Sequence, residues 1–419
     1  MGGLSKYTEQ PASHMLSDDR RAIIDEVSGT LIREFTLSGL RNRERRREIQ
    51  DRASALVNEA ARKRGAFSTT MLAAMTSDVI SRTVGLGFLD RLIPPERADL
   101  VEIALVPTGE LYVKRKGGSG RFEPIDLRPT LDEVMRVVDT LLAAQNKSLT
   151  EATPTVDAKL PRTDDNPGGG RVKVLHPALV PGRGFPAVSI RLFEPKPVLV
   201  EQIVSWGSAT PAMMDALVGA VKRNLRILIA GGTGTGKTTL LAALCNAIPQ
   251  DERILKIEDP EEIFLDKPHV VTMEARAAPP GSPVPPYTVS DAVNDAMRMN
   301  PDRLIVGEVR TGGAALALFR AQMSDHPGLS TFHAENPQAA INRLAVIMWA
   351  DAGVRMEAAK GLFASAVDVY VQLNKVDGQR CMTGIWQIEP ALKSGDVAFT
   401  PIFNAQHERV GEITRERTA

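Results

Sequence analysis

Residues Gly231-Gly232-Thr233-Gly234-Thr235-Gly236-Lys237-Thr238 fit the pattern G-x-x-x-x-G-K-[ST]. Glycines in such a run adopt backbone conformations closed to other residues, so successive N–H groups can turn inward and meet phosphate oxygens. A helix starting at Lys237 would add its positive N-terminal end. Lys237 has the reach and charge for the β- and γ-phosphates, and Thr238 offers a hydroxyl to a magnesium ion. The pattern requires a buried strand before it and a helix after it. The apolar run Leu225–Ala230 and the helical segment Lys237–Ala247 supply both. Gly232, Thr233, Gly234, Thr235, Gly236, Lys237, Thr238 and Thr239 are therefore the candidate cradle for ATP, with Thr238 a candidate magnesium ligand.

Holding a triphosphate is not hydrolysing it. Hydrolysis needs carboxylates that hold Mg²⁺, directly or through water, and that orient the attacking water. Two strand-like segments end in acids: Arg253–Ile257 leads into Glu258-Asp259-Pro260-Glu261-Glu262, and Arg303–Val306 leads into Gly307-Glu308-Val309-Arg310. In open α/β sheets the carboxyl ends of strands face the ligand crevice. Further on, two of the six histidines, His326 and His333, bracket a short strand in Ser324–Ala334, a pattern suited to sensing or positioning. Metal ligation fits them less well, since no third ligand stands at the usual spacing.

These residues need a scaffold. With 419 residues the chain is too long for one ordinary core and implies two or three domains. Hydrophobic residues (43%) and charged residues (24%) stand at globular proportions. Lys plus Arg (51) equals Asp plus Glu (51) and aromatics are sparse (5%), so direct nucleic-acid binding is not expected. Cys245 and Cys381 form no C-x-x-C pair, which argues against a disulfide scaffold or a four-cysteine zinc module. No stretch approaches the roughly 20 apolar residues of a membrane span, and none resembles a signal peptide; a cytoplasmic setting is expected.

Residues 1–15 lack periodicity and are set aside as disordered or tag-derived. Residues 16–95 read as a helical bundle: Ile23, Ile24, Val27, Leu31 and Ile32 recur at three-and-four spacing, followed by Ile49, Ala53, Leu56, Val57 and Ala60, and then a helix over 71–84. The basic run 41–47 reads as a solvated face, with docking to anionic headgroups as the sharper alternative. Residues 96–195 combine short strands at 101–105, 110–115, 172–175 and 187–193 with a helix over 131–142 and a loop over 161–170, giving a small α+β domain. A linker at 196–200 leads to 201–419, where strands at 225–230, 253–257, 270–273 and 303–306 alternate with helices and a run of late strands occupies 366–403: an α/β domain on a mostly parallel sheet.

Four motifs in order resemble the type II/type IV secretion traffic ATPases: GGTGTGKT, IEDPEE, PDRLIVGEVR with Glu308 where most phosphate-loop enzymes carry Asp, and HPGLSTFHAENP. The resemblance covers roughly residues 75–405. It implies a RecA-like domain preceded by a small PAS-like α+β domain, arranged as a homohexameric ring at the cytoplasmic face of the inner membrane. Glu258 is similar to the family's water-activating glutamate and Glu308 to its magnesium-side acid acting through water. His333, with His326 second, is similar to its γ-phosphate sensor. Arg171, Arg183 and Arg191 stand at positions from which the family's N-terminal domain reaches nucleotide, and Arg276, Arg298 and Arg310 at further family arginines. Segments Gly85–Leu89, Glu102–Val106 and Leu111–Val113 resemble the tight-adherence pilus motors and conjugation ATPases. The implied work is pilus assembly or retraction, or secretion, against a polytopic inner-membrane platform protein. The alternative is a conjugative DNA-transfer ATPase or nucleic-acid translocase. Departures from the pattern are Thr311-Gly312-Gly313-Ala314 where an acid is common, Asp325 before His326, and Glu335-Asn336 after the His-Ala pair.

Overall fold

The computed structural model describes residues 11–40, 46–83, 85–94, 97–162, 168–194, 196–278 and 283–416. Most of the basic run 41–47, the middle of the loop 161–170 and part of the proline-rich loop 277–286 lie outside the described residues. The chain divides into two compact units, Met1–Leu192 and Phe193–Ala419.

The first unit opens with three helices, α1 (Pro11–Leu40), α2 (Arg46–Arg62) and α3 (Thr69–Thr83). α1 begins inside the segment set aside as 1–15. Ile23, Val27 and Leu31 pack against Ile49, Ala53 and Val57 of α2 and Met75 and Val79 of α3, the three-and-four seam of an amphipathic helix. Ile32, expected on this face, is 39% exposed. One residue past Leu31 it is rotated about 100° off the seam. A 3₁₀ turn, Gly87–Arg91, then leads into an antiparallel sheet.

The strands of that sheet are β1 (Leu100–Leu105), β2 (Leu111–Arg115), β3 (Glu123–Pro124), β4 (Thr155–Leu160), β5 (Gly170–Leu175) and β6 (Ala187–Leu192), in the order β3-β2-β1-β6-β5-β4. Helix α4 (Leu131–Ala143) starts at a reciprocal cap: Thr130 Oγ1 accepts from the Glu133 N–H, and Glu133 Oε2 accepts from the Thr130 N–H. Its Val134, Val138, Leu141 and Leu142 share a core with Ile103, Val113, Val172 and Ile190. The alternate residues of the strands form the other face, where Lys114, Glu102, Arg191, Arg171 and Lys159 are successive register partners across β2, β1, β6, β5 and β4.

In the second unit, α5 (Val200–Ser205) and α6 (Pro211–Lys222) precede β7 (Ile227–Gly231), α7 (Lys237–Asn246), β8 (Ile254–Glu258), β9 (Val270–Glu274), α8 (Val289–Ala296) and β10 (Arg303–Val309). There follow α9 (Gly312–Met323), β11 (Gly328–His333), α10 (Pro337–Ala352), α11 (Met356–Ala366), β12 (Val369–Val376), β13 (Gln379–Ile388) and β14 (Phe399–Phe403). The sheet order is β14-β13-β12-β7-β11-β10-β8-β9, with β12 through β9 parallel to one another and β13 and β14 antiparallel. Every residue of β7 is buried. Ile227 and Ile229 join a core with Met213 and Leu217 of α6 and Leu240 and Leu244 of α7. Leu228 and Ala230 join a different core with Val293, Leu318, Leu344 and Phe363. A strand covered on both faces has no polar alternation, which is why 227–230 reads as a continuous apolar run.

The start of β7 is fixed by charge. Arg226, 1% exposed, pairs with Asp368, 0% exposed, through Nε–Oδ2 at 3.0 Å and Nη2–Oδ1 at 3.1 Å. The Arg226 N–H donates to the same carboxylate at 2.9 Å, and Arg415 Nε lies 2.7 Å from Oδ1. The cluster ties β7 to the approach of β12. Removing one member leaves buried charge uncompensated, at a cost of about 3–5 kcal/mol. Asp368→Ala is expected to lower the unfolding free energy read from urea denaturation by that amount. The exposed pair Arg409–Glu412 is a control whose loss should cost about 0–1 kcal/mol. Equal effects of the two deletions would refute the anchoring role.

Candidate active site

Because β7, β8, β10 and β11 are parallel, their C-terminal ends share one edge of the sheet, and each delivers a residue singled out above. β7 ends at Gly231 and the chain turns through Gly232–Gly236 into α7. Gly234 (φ +71°) and Gly236 (φ +98°) are left-handed, so the loop can curl its amides inward without strain. Thr235 Oγ1 donates to Gly232 O at 3.0 Å, bracing the curl from inside. Lys237 Nζ donates back to Gly231 O (3.0 Å) and Gly232 O (2.9 Å). Neutral carbonyls are weak partners for an ammonium, and a phosphate oxygen would displace them.

Glu258 closes β8 and is only 3% exposed. Oε1 accepts from the N–H groups of Glu262 and Ile263, both at 3.1 Å. Oε2 lies 2.9 Å from Lys256 Nζ, and Lys256 itself is 2% exposed and pairs also with Glu261 at 3.0 Å. Burial pushes the Glu258 carboxyl above the usual carboxylate range, and the Lys256 ammonium and the two amides oppose that rise. Gly307 packs flat against it: a Cβ there would lie 2.9 Å from Glu258 Cγ. The glycine of the GEVR element is thus set by the neighbouring glutamate.

Thr238, Glu258, Gly307 and Glu308 line a single cavity of about 370 Å³, together with Arg276 and Arg310. Glu308 is held by Arg310, whose Nε donates to Oε2 at 2.6 Å and whose Nη1 reaches Asp259 O at 3.3 Å. A threonine hydroxyl and a carboxylate on one wall are hard oxygen donors of the kind Mg²⁺ takes, with phosphate and water completing its shell. His333 ends β11 as the register partner of Gly231, beside the start of the phosphate loop.

Other expected residues are not brought to this edge. His326 precedes β11, at the opposite end of a strand that spans roughly 17 Å at about 3.3 Å per residue, away from the phosphate loop. Arg298 sits in the 3₁₀ turn Met297–Met299, ahead of the N-terminal end of β10, and is absent from the cavity lining. Arg171 and Arg191 are register partners on β5 and β6 of the first unit, and Arg183 is exposed in the loop before β6. Two of the departures from the family pattern serve as helix caps. Thr311 Oγ1 caps α9 by accepting from the Ala314 N–H, and Asn336 Oδ1 caps α10 by accepting from the Ala339 N–H.

Three residues at this edge carry no sequence signal. Lys256 lies within a buried strand and is the counter-ion of Glu258. Lys375 and Arg380, register partners at the tip of the β12–β13 hairpin, overhang the loop: Lys375 Nζ is 3.4 Å from the Cβ position of Gly234, and Arg380 Cδ is 3.6 Å from that of Gly236.

Residues 101–396 match the type II/IV secretion system protein family. The chain belongs to that family. The conjugal transfer protein TrbB of Rhizobium radiobacter is 30% identical over 297 residues, covering 70% of this chain and 84% of TrbB. A putative conjugal transfer protein of Mycobacterium tuberculosis is 35% identical over 242 residues, 57% of this chain and 67% of that protein. The fold is similar to that of the pilus retraction motor PilT, solved with ADP, with a TM-score of 0.51 at 19% identity over 72% of this chain and 79% of PilT. It is also similar to the Legionella pneumophila ATPase DotB, with a TM-score of 0.50 at 19% identity over 68% and 76%. The chain is thus related in sequence to type II/IV secretion proteins and to conjugal transfer proteins, and in fold to the two solved structures.

The state of Glu258 is testable by pH. A base acts as carboxylate, so turnover should rise as pH climbs through its elevated pKa. Lys256→Met removes a charge that lowers this pKa, so the acid limb of the kcat profile should move to higher pH while nucleotide affinity is kept. An unmoved limb in a variant that still binds ATP would show that Lys256 does not govern Glu258.

Proposed function

We propose that the chain hydrolyses ATP at the edge where β7, β8, β10 and β11 end, and that it works as a homohexameric ring. The observation that carries this reading is the convergence of Thr238, Glu258 and Glu308 on one cavity beside a loop whose lysine is already folded over it. In the proposed division of labour, the amides of Gly232–Thr239 and the Lys237 ammonium hold the triphosphate. Thr238 and Glu308 hold Mg²⁺, Glu308 through water. The metal would offset charge on the phosphates. Glu258 orients the attacking water and accepts its proton, and His333 senses the γ-phosphate. Arg171, Arg183 and Arg191 are proposed to reach nucleotide during turnover. Support for the first and last of these is their placement on an α-helix-free sheet face where Arg171, Arg191 and Lys159 stand in register.

The proposed layout is a helical segment 16–95, a PAS-like α+β domain 96–195, a linker 196–200 and a RecA-like domain 201–419. Contacts made only with the γ-phosphate present would favour one conformation, and their loss on hydrolysis would release it. The motor would act on a polytopic inner-membrane platform protein from the cytoplasmic side. In support, no described helix is long and apolar enough to cross a membrane. The tight-adherence pilus branch is the preferred assignment. The relatives named for conjugal transfer favour a second reading, a motor of conjugation. Direct translocation of DNA would give an ATPase stimulated by DNA and weakened steeply by salt.

Lys237→Ala is expected to abolish ATP binding. Glu258→Gln and Glu308→Ala should keep binding and lower steady-state phosphate release by about 10²–10⁴-fold. Full ATPase activity in purified Lys237→Ala protein would refute the site.

A further inference from the structure

The first unit contains a cavity of about 340 Å³ where α1 and α3 meet α4 and the loop before it. Six arginines line it: Arg20 and Arg21 from α1, Arg82 from α3, Arg91 from the 3₁₀ turn, Arg128 from the loop and Arg136 from α4. The lining holds only two carboxylates, Asp78 and Glu133. Asp78 is divided between Arg20, at 2.8 Å, and Arg91. Glu133 takes Arg82 at 3.2 Å while also capping α4. Asp25, outside the lining, reaches Arg82 as well. Arg128 lies 3.6 Å from Glu110 with its side chain 71% exposed, and Arg136 Nε donates to the backbone carbonyl of Asp132.

Six guanidinium groups around one concavity repel one another, and the carboxylates present are too few to offset them. Planar forks arriving from separate segments suit the oxygens of a phosphate, which guanidinium groups bind in pairs of parallel hydrogen bonds. Ile24, Phe88, Leu127 and Val137 give the wall an apolar part, and Ser81, Thr130 and Thr140 add hydroxyl groups to it. A volume of this size falls within the range of small-molecule sites, about 300–1,000 Å³.

We propose that this cavity is a second anion site that takes an organic phosphate of at least two negative charges. Its phosphates would meet the arginines of α1, α3 and α4, and its apolar part would lie against Phe88 and Val137. Such a ligand bridges the three-helix segment and the α+β sheet within the first unit, so its binding would stiffen one on the other. The site shares no residue with the phosphate loop and so does not depend on the reading given above.

The test uses the full chain carrying Lys237→Ala, in which the phosphate loop no longer competes. Isothermal titration with inorganic pyrophosphate at low salt should show saturable binding. Arg128→Gln with Arg136→Gln should weaken it at least about tenfold, the loss of one charge-assisted hydrogen bond. Both side chains lie outside the packed cores, so the fold survives the change. Sedimentation with phosphatidylglycerol vesicles forms the second arm. Arginine-dependent binding to vesicles identifies a lipid headgroup as the source of the phosphate, arginine-dependent binding to pyrophosphate alone identifies a soluble one, and either supports the site. Binding of neither probe, or binding indifferent to the two substitutions, overturns it.

Discussion

In the mechanism we propose, a triphosphate is met at one place by groups that are far apart in sequence: Lys237 and Thr238, then Glu258, then Glu308, then His333. What makes this possible is the parallel alignment of the four strands that carry them. Parallel strands put all their carboxyl ends on one edge, and the helices that return the chain cover both faces of the sheet. β7 therefore has to be apolar on both sides, and the loop that follows it is mounted on a strand buried along its whole length. The catalytic edge is precise because the strand behind it cannot move without opening two cores.

Charge buried in that framework is found where it is compensated. The Arg226–Asp368–Arg415 cluster holds the non-catalytic end of β7, and Lys256 with two amides holds Glu258 at the catalytic end of β8. The two arrangements differ in consequence. Asp368 lies away from the cavity lining and is saturated by two guanidiniums, so it is structural. Glu258 faces the cavity, and burial lifts its affinity for a proton while one ammonium restrains it. A carboxylate so placed holds a proton more readily than one in water, which suits a group that accepts one.

Much of this was legible in the sequence because it is local. The glycine loop states its own conformation, and an apolar run followed by acids marks the tip of a buried strand. The strands of the α+β sheet show alternation, and β4 shows it too in Val156-Asp157-Ala158-Lys159-Leu160, although its short run beside a polar loop hides it. What was illegible depends on contacts between segments. Lys256 within Ile254–Glu258 looks like a solvated position until its neighbours are known. Lys375 and Arg380 reach the phosphate loop only because β12 lies next to β7 in the sheet. His326 and His333 are close in sequence and share a motif, yet a strand between them sends them to opposite edges.

The same distinction separates the two arginine-rich regions of the first unit. On the open sheet face, Arg171, Arg191 and Lys159 stand in register on adjacent strands, a geometry fixed by backbone pairing and therefore stable whether or not an anion is present. In the cavity beside α4, the arginines come from helices and loops, with one carboxylate shared between two of them. Exposed ion pairs contribute little on their own and are screened by salt. A polyvalent anion at that junction would offset charge that the carboxylates there leave over. One rule covers both places: apolar burial fixes position, and uncompensated charge leaves a site open to a ligand.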